Sequence, residues 1–267
     1  MKSLKELMDL KDRVALITGG AGHIGFSAAE TLAELGAKIV LLDIDKAQCD
    51  KEAEAVANKY NVETLPLAVD LAKEDKVRLV PKAVLDKFGR LDILVNCAAL
   101  VGSSELKGWA VPFENQLTDA WRVALEVNLT SIFVLVQACQ KALAYSGQGS
   151  IINISSIYGL VGPDMRLYQG TDLGNPAAYS VTKGGLIHFT KWLATVLAPQ
   201  IRVNTVTPGG VFRDHSEPFL SRYLERTPLR RMAKEEDLKG AVAYLASELS
   251  SYVTGQNIVV DGGWTAW

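Results

Sequence analysis

The sequence predicts an α/β fold, a single doubly wound parallel sheet of about seven strands with helices on both faces. Short β-branched apolar runs alternate with longer stretches of helical periodicity, the pattern of consecutive βαβ units. No internal repeat, low-complexity tract or Pro/Ser-rich linker breaks the alternation. The 267 residues, 48% hydrophobic and 22% charged, suffice for one large domain with a substantial core. Residues 1–267 therefore read as one domain.

Taken in order, "MKSLKELMDLKDR" is charged and helix-like, without the apolar centre of a signal peptide. The first strand, "VALIT" (14–18), leads into "TGGAGHIG" (18–25) and then the helical pattern "GFSAAETLAELG". "KIVLLD" (38–43) ends on Asp43, "TLPLAVD" (64–70) on Asp70 and "LDILVN" (91–96) on Asn96. "SIINIS" (150–155), "IRVNTVT" (201–207) and "NIVVDG" (257–262) complete the set. Long connections follow strands four, five and six, at the carboxyl ends where open α/β sheets bind ligands. They place substrate-loop insertions near 100–116, 158–177 and 211–231.

Net charge is −2 and no block of like charge stands out, so no nucleic-acid or membrane partner is expected. Cys49, Cys97 and Cys139 are scattered, which favours a reducing cytoplasm over a disulfide scaffold. His23, His188 and His215 lie far apart, and no metal is expected. Apolar runs such as "IFVLV" are too short to span a bilayer.

Gly20, Gly22 and Gly25 fit a GxGxxG spacing placed between a strand and a helix. Glycine there permits a tight turn and close approach to a pyrophosphate, while the helix N-terminus supplies N–H donors. Asp43 suits the adenosine ribose hydroxyls and would repel a 2′-phosphate. NAD is therefore the expected cofactor, with NADP the lesser alternative.

Two tyrosines compete for an acid–base role. Tyr179 precedes Lys183 by four positions in "YSVTK", at the start of a helical pattern, so phenol and ammonium share a helix face. Tyr168 has Asp172 at the same offset, a carboxylate that would oppose its ionisation. A free phenol titrates near 10. Lowering it to about 7 requires roughly 4 kcal/mol, from Lys183 and an oxidised nicotinamide together. Tyr179 is thus the candidate, and Tyr168 a substrate-loop residue.

The ordered set "TGGAGHIG", "VDL" (69–71), "NCAA" (96–99), "VNL" (127–129), "NISS" (153–156), "YSVTK", "PGG" (208–210) and "VTGQNIVVDGGW" resembles the classical short-chain dehydrogenases/reductases over essentially the whole chain. The resemblance implies a Rossmann fold and hydride transfer between an alcohol or ketone and the cofactor. By the same resemblance, Tyr179 is the general acid/base, Lys183 lowers its pKa and holds the nicotinamide ribose, and Ser156 binds the substrate oxygen. Asn128 holds a water linking Lys183 to solvent. Cofactor contacts are implied for Gly19, Gly22, His23, Ile24 and Gly25, for Asp43, Asp70, Leu71 and Asn96, for Tyr179 and Lys183, and for Pro208 and the Val211 backbone. A homotetramer or homodimer is also implied, with the aromatic tail "GGWTAW" in an interface.

The chain departs from the family pattern in several places. His23 replaces the middle glycine, giving a TGxxGxxG string similar to that of the extended branch with its epimerases and dehydratases. Only residues 184–267 follow Lys183, too few for that branch's substrate domain. His23 is expected to pack or to contact phosphate. Arg213 and Asp214 stand where a threonine is common after "PG", and residues 157–178 make an unusually long gap between Ser156 and Tyr179. The loops are rich in polar residues, so a small polar, sugar-like substrate is expected, with Arg166, Tyr168 and Arg213 as candidate contacts. The segments "SSIYGLVGPD" and "PGGVF" are similar to dehydrogenases of flagellin-modification and sialic-acid-like sugar pathways. The competing readings are an NAD-dependent sugar epimerase and a non-catalytic dinucleotide sensor.

Overall fold

The structure, a computed structural model, describes residues 1–101 and 104–267. The two remaining residues fall within the first expected insertion. Seven parallel strands form one sheet: β1 (Val14–Thr18), β2 (Lys38–Asp43), β3 (Thr64–Ala68), β4 (Ile93–Asn96), β5 (Gly149–Ile154), β6 (Ile201–Pro208) and β7 (Asn257–Val260). Their spatial order is β3-β2-β1-β4-β5-β6-β7. The chain runs outward from β1 to β3, then restarts beside β1 with β4. The crevice at that reversal is where such sheets take ligands.

The helices are α1 (Leu4–Met8), α2 (His23–Glu34), α3 (Lys46–Tyr60), α4 (Glu74–Val77), α5 (Val80–Phe88), α6 (Thr118–Leu125), α7 (Ser131–Tyr145), α8 (Ala177–Leu197), α9 (Phe219–Arg226) and α10 (Glu236–Ala246). Helices α5, α7 and α8 bury one face of the sheet, around Leu16, Leu94, Leu135 and Leu186. Helices α2, α3 and α10 bury the other, around Ile17, Ile39, Leu32 and Leu245. Two-sided burial explains why the strands read as continuous apolar runs rather than alternating ones.

All seven expected strands form, some with shorter ends. β3 stops at Ala68, where its partner β2 also stops at Asp43. Pro66 is tolerated because β3 is an edge strand. Counting uninterrupted apolar residues understated one segment. The helical run Thr118–Tyr145 is long and apolar enough by composition to cross a bilayer. Here Ile132, Leu135, Val136 and Leu143 of that run pack in the core. The aromatic tail also differs from expectation: Trp264 is buried within its own chain, and only Trp267 is exposed.

The second and third insertions fold against each other. Arg222 of α9 donates through Nη1 to the carbonyls of Arg166 (3.1 Å) and Gln169 (2.5 Å), and Arg226 pairs with Asp164 at 2.7 Å. Beneath these bonds lies a small core of its own, formed by Ile157, Leu167, Phe219, Tyr223, Met232 and Trp264. The pair makes a roof over the carboxyl ends of β5 and β6.

Candidate active site

A cavity of about 870 Å³ lies under this roof and extends along the glycine loop to Asp43. Gly19, Gly22, His23, Ile24, Gly25, Asp43, Asp70, Leu71, Pro208 and Val211 border it, together with Ser156, Tyr179 and Lys183. Of the residues expected at the cofactor, Asn96 alone does not.

The glycine loop requires its glycines for two reasons. Gly19 has φ +63° and lies so close to β4's end that a Cβ would stand 2.8 Å from Ala98 Cα. A Cβ on Gly25 would stand 2.0 Å from the Gly19 carbonyl oxygen, so the first turn of α2 rests directly on the loop. Gly22 is the N-cap of α2 and no side chain caps that turn. Its N–H groups and partial positive charge face the cavity, a cradle that fits a dinucleotide's pyrophosphate. Asp43 accepts from the Ala21 N–H at 3.1 Å and from the Ile44 N–H at 2.8 Å. It therefore fixes the loop to β2 while bordering the cavity. Lys46 turns away into an ion pair with Asp50. Asp70 accepts from the Ala72 N–H at 2.9 Å, closing the turn before α4 as well as bordering the cavity.

Asn96 corrects an expectation. It is 1% exposed and donates to Asn153 at 2.8 Å, which in turn donates to Thr190 of α8. The side chain ties β4 to β5 inside the sheet. Arg166 is a second correction: its guanidinium is exposed and paired with Asp164 at 2.8 Å, outside the cavity lining. Tyr168 and Arg213 do border the cavity. His23 extends into solvent at its edge, 3.8 Å from Glu235.

At the centre, Tyr179 and Lys183 occupy successive turns at the start of α8. The Ser155 hydroxyl donates to the Lys183 carbonyl at 2.9 Å and so docks α8 on the end of β5. Gly159 completes the contact, since a Cβ there would stand 2.7 Å from the Lys183 carbonyl carbon. The buried Lys183 ammonium donates to the Ile154 carbonyl at 2.8 Å and lies 5.9 Å from the Tyr179 ring centre. Burial pulls its pKa down to about 8. Burial also pushes the Tyr179 phenol up, opposed by the neighbouring Ser156 hydroxyl. Ser156 accepts from the Tyr158 N–H at 3.2 Å, which leaves its own proton free to donate into the cavity.

Asn128 lies in a π-helical turn, Glu126–Thr130, between α6 and α7. Its amide accepts from the Leu100 N–H at 2.7 Å and donates to the Leu100 carbonyl and to Thr182. The side chain holds the β4 loop against α8, one residue from Lys183. The site also contains residues that the sequence reading passed over. Tyr158 pairs with Tyr168, and Glu235 takes the Arg213 guanidinium at 2.6 Å. Proximity to Ser156 was a signal for Tyr158, whereas no local pattern marked Glu235. The polar walls expected from loop composition are replaced by Phe219, Tyr223, Met232 and Leu173, with Asn175, Arg213 and His215 as polar exceptions.

A family model described as "Enoyl-(Acyl carrier protein) reductase" matches residues 19–265. The 3-oxoacyl-[acyl-carrier-protein] reductase FabG of Aquifex aeolicus is 34% identical, covering 95% of this chain and 98% of its own. A trans-4-hydroxycyclohexanecarboxylate dehydrogenase of Sinomonas cyclohexanicum is 36% identical, covering 96% and 93%. The post-translational flagellin modification protein A of Campylobacter coli is 28% identical, covering 96% and 99%. Among solved structures, a short-chain dehydrogenase from Leptospira borgpetersenii with bound NAD+ gives a TM-score of 0.84 at 34% identity, covering 99% and 96%. A gluconate 5-dehydrogenase from Burkholderia cenocepacia with NADP and tartrate gives 0.88 at 29%, covering 99% and 100%.

Proposed function

Since the chain belongs to the short-chain dehydrogenase/reductase family, we propose that it interconverts a secondary alcohol and a ketone with NAD, on a small polar, sugar-like substrate. One observation carries the reading: Ser156, Tyr179 and Lys183 converge on the same cavity as the glycine cradle. The nicotinamide cofactor, when bound, accepts or supplies the hydride. Ser156 then donates to the substrate oxygen, and Tyr179 takes or returns the hydroxyl proton. Lys183 supplies the nearby positive charge that favours the phenolate, and Asn128 keeps Leu100 and α8 in place around it. Asp43, with no unpaired cation beside it among the described residues, supports NAD over NADP. The apolar walls remove the support that loop composition gave to a sugar-like substrate; Asn175, the Tyr158–Tyr168 pair, and neighbours with sugar-acid and flagellin-modification names support a polar substrate in its place.

The test is NADH formation across sugars, polyols and simple secondary alcohols, with Tyr179→Phe as control. Tyrosine-dependent reduction of NAD supports the reading, and equal turnover in the variant refutes it.

We further propose a homodimer or homotetramer working in a reducing cytoplasm, where Cys49, Cys97 and Cys139 stay unpaired. Phe133, Val181, Trp192 and Val196 form an exposed apolar surface on α7 and α8 that suits a second copy. Sedimentation of Trp192→Glu beside the parent chain tests it. A parent chain that sediments as a monomer rejects it.

A further inference from the structure

We propose that Tyr158 and Tyr168 act together as a reader of the substrate. The pair presents one O–H donor to an uncharged hydroxyl or ether oxygen beside the reacting carbon. The site thereby selects neutral polyhydroxy compounds. This inference rests on the alcohol/ketone reading above and names its substrate class.

The two phenol oxygens lie 2.7 Å apart and both border the cavity. Two phenols bring two protons, and one hydrogen bond between them uses one. Among the described residues no acceptor takes the other. Either oxygen can be the donor in that bond, so one phenol of the pair keeps its proton for the cavity. A donor left unmatched when a ligand displaces water is costly, so a substrate that offers an oxygen there is preferred.

The mounting is rigid. Tyr158 meets Trp264 edge-to-face at 6.0 Å, and Tyr168 packs on Phe219 at 5.5 Å. Arg222 holds the carbonyls on either side of Tyr168, those of Leu167 and Gln169. A hydroxyl held this way is positioned before substrate arrives.

The charges at the substrate end are already matched or buried. Arg213 is spent on Glu235 at 2.6 Å. His215 accepts the Arg213 backbone N–H on Nδ1, which keeps the ring neutral with its proton on Nε2. Lys183 is committed to the Ile154 carbonyl beside Tyr179. An anionic group at the substrate end therefore finds no exposed, unpaired cation among the described residues, while Phe219 and Tyr223 offer flat faces to the C–H side of a ring.

The experiment measures NADH formation from cyclohexanol, trans-1,2-cyclohexanediol and 2-hydroxycyclohexanecarboxylate with the parent enzyme, Tyr168→Phe and Tyr158→Phe. The expected parent order has the diol first, by about tenfold or more in kcat/KM over cyclohexanol, and the carboxylate last. Tyr168→Phe should cut the diol-to-cyclohexanol ratio about tenfold. Tyr158→Phe should lower it as well, because either phenol alone loses the orientation that the 2.7 Å bond gives the pair. The ratio comes from one preparation, so partial misfolding lowers both rates alike. A ratio unchanged in either variant, or a parent preference for the carboxylate, overturns the reader and leaves the dehydrogenase reading standing. Absence of Tyr179-dependent NADH with all three overturns both.

Discussion

Replacing Lys183 with methionine should destroy activity and raise stability, and the gain should depend on pH. The ammonium is held at a pKa of about 8 by burial, against 10.5 for an ordinary lysine. A lowered lysine pKa means that the fold disfavours the charged form. The cost is full below about pH 8, shrinks between about 8 and 10.5, and is gone above, where folded and unfolded chains are both neutral. The difference of about 2.5 units corresponds to roughly 3 kcal/mol at pH 7. Methionine also forfeits the bond to the Ile154 carbonyl, worth about 1 kcal/mol. The net expectation is a variant more stable by about 2 kcal/mol at pH 7 and no more stable than the parent at pH 10.5. Urea unfolding at both pH values and one protomer concentration is the assay. The same substitution removes the ammonium that lies 5.9 Å from the Tyr179 ring centre, so any residual oxidation should move to higher pH. A variant that is destabilised at pH 7, with a gap independent of pH, would refute the claim that the site stores an unfavourable buried charge.

Three other perturbations follow from the same geometry. Gly25→Ala places a methyl 2.0 Å from the Gly19 oxygen. It should weaken NAD binding by about 100-fold or more while costing about 1–3 kcal/mol of stability, read by calorimetric titration and melting. Normal NAD affinity would show that the loop yields easily. Asp43→Ala removes the carboxylate that borders the cavity next to the glycine loop, and with it the Ala21 bond. It should lower the NAD-to-NADP preference in kcat/KM by about tenfold or more, and an unchanged ratio would take Asp43 out of cofactor choice. Glu235→Gln frees Arg213 from its 2.6 Å pair. KM for an anionic alcohol should fall by about 3- to 10-fold, a gain erased by added salt; a KM that does not move would mean that Arg213 does not face the substrate.

The legibility of the chain falls along a physical line. Strand positions depend on local apolar runs, so all seven could be read from the sequence, and errors were confined to ends such as Ala68, where a neighbour's length decides. The glycine loop and the Tyr179–Lys183 offset were legible because each is a local geometric need, close backbone approach in one case and one helix face in the other. Asn96 misled because a polar residue at a strand's carboxyl end can face the crevice or the next strand. Only β5, through Asn153, decides between them. Arg166 misled because its partner Asp164 is two residues away, so the pair closes on itself. Composition counts such a residue as available when its charge is already taken.

The substrate end was harder to read for the same reason, extended over longer separations. Arg213 looked like an anion contact while its partner lay 22 positions on, at the start of α10. Tyr168 looked compromised by Asp172 at i+4, a rule that holds on helices. In the structure Tyr168 ends a short 3₁₀ turn, where that offset no longer puts two side chains on one face. Its true neighbour is Tyr158. The proposed catalytic set is thus written in spacings that survive any loop change. The proposed specificity rests on pairings between two insertions that Arg222 and Arg226 hold together. That division predicts where change is cheap: substitutions at the α9 contacts should alter which alcohol is chosen before they alter whether hydride chemistry occurs at all.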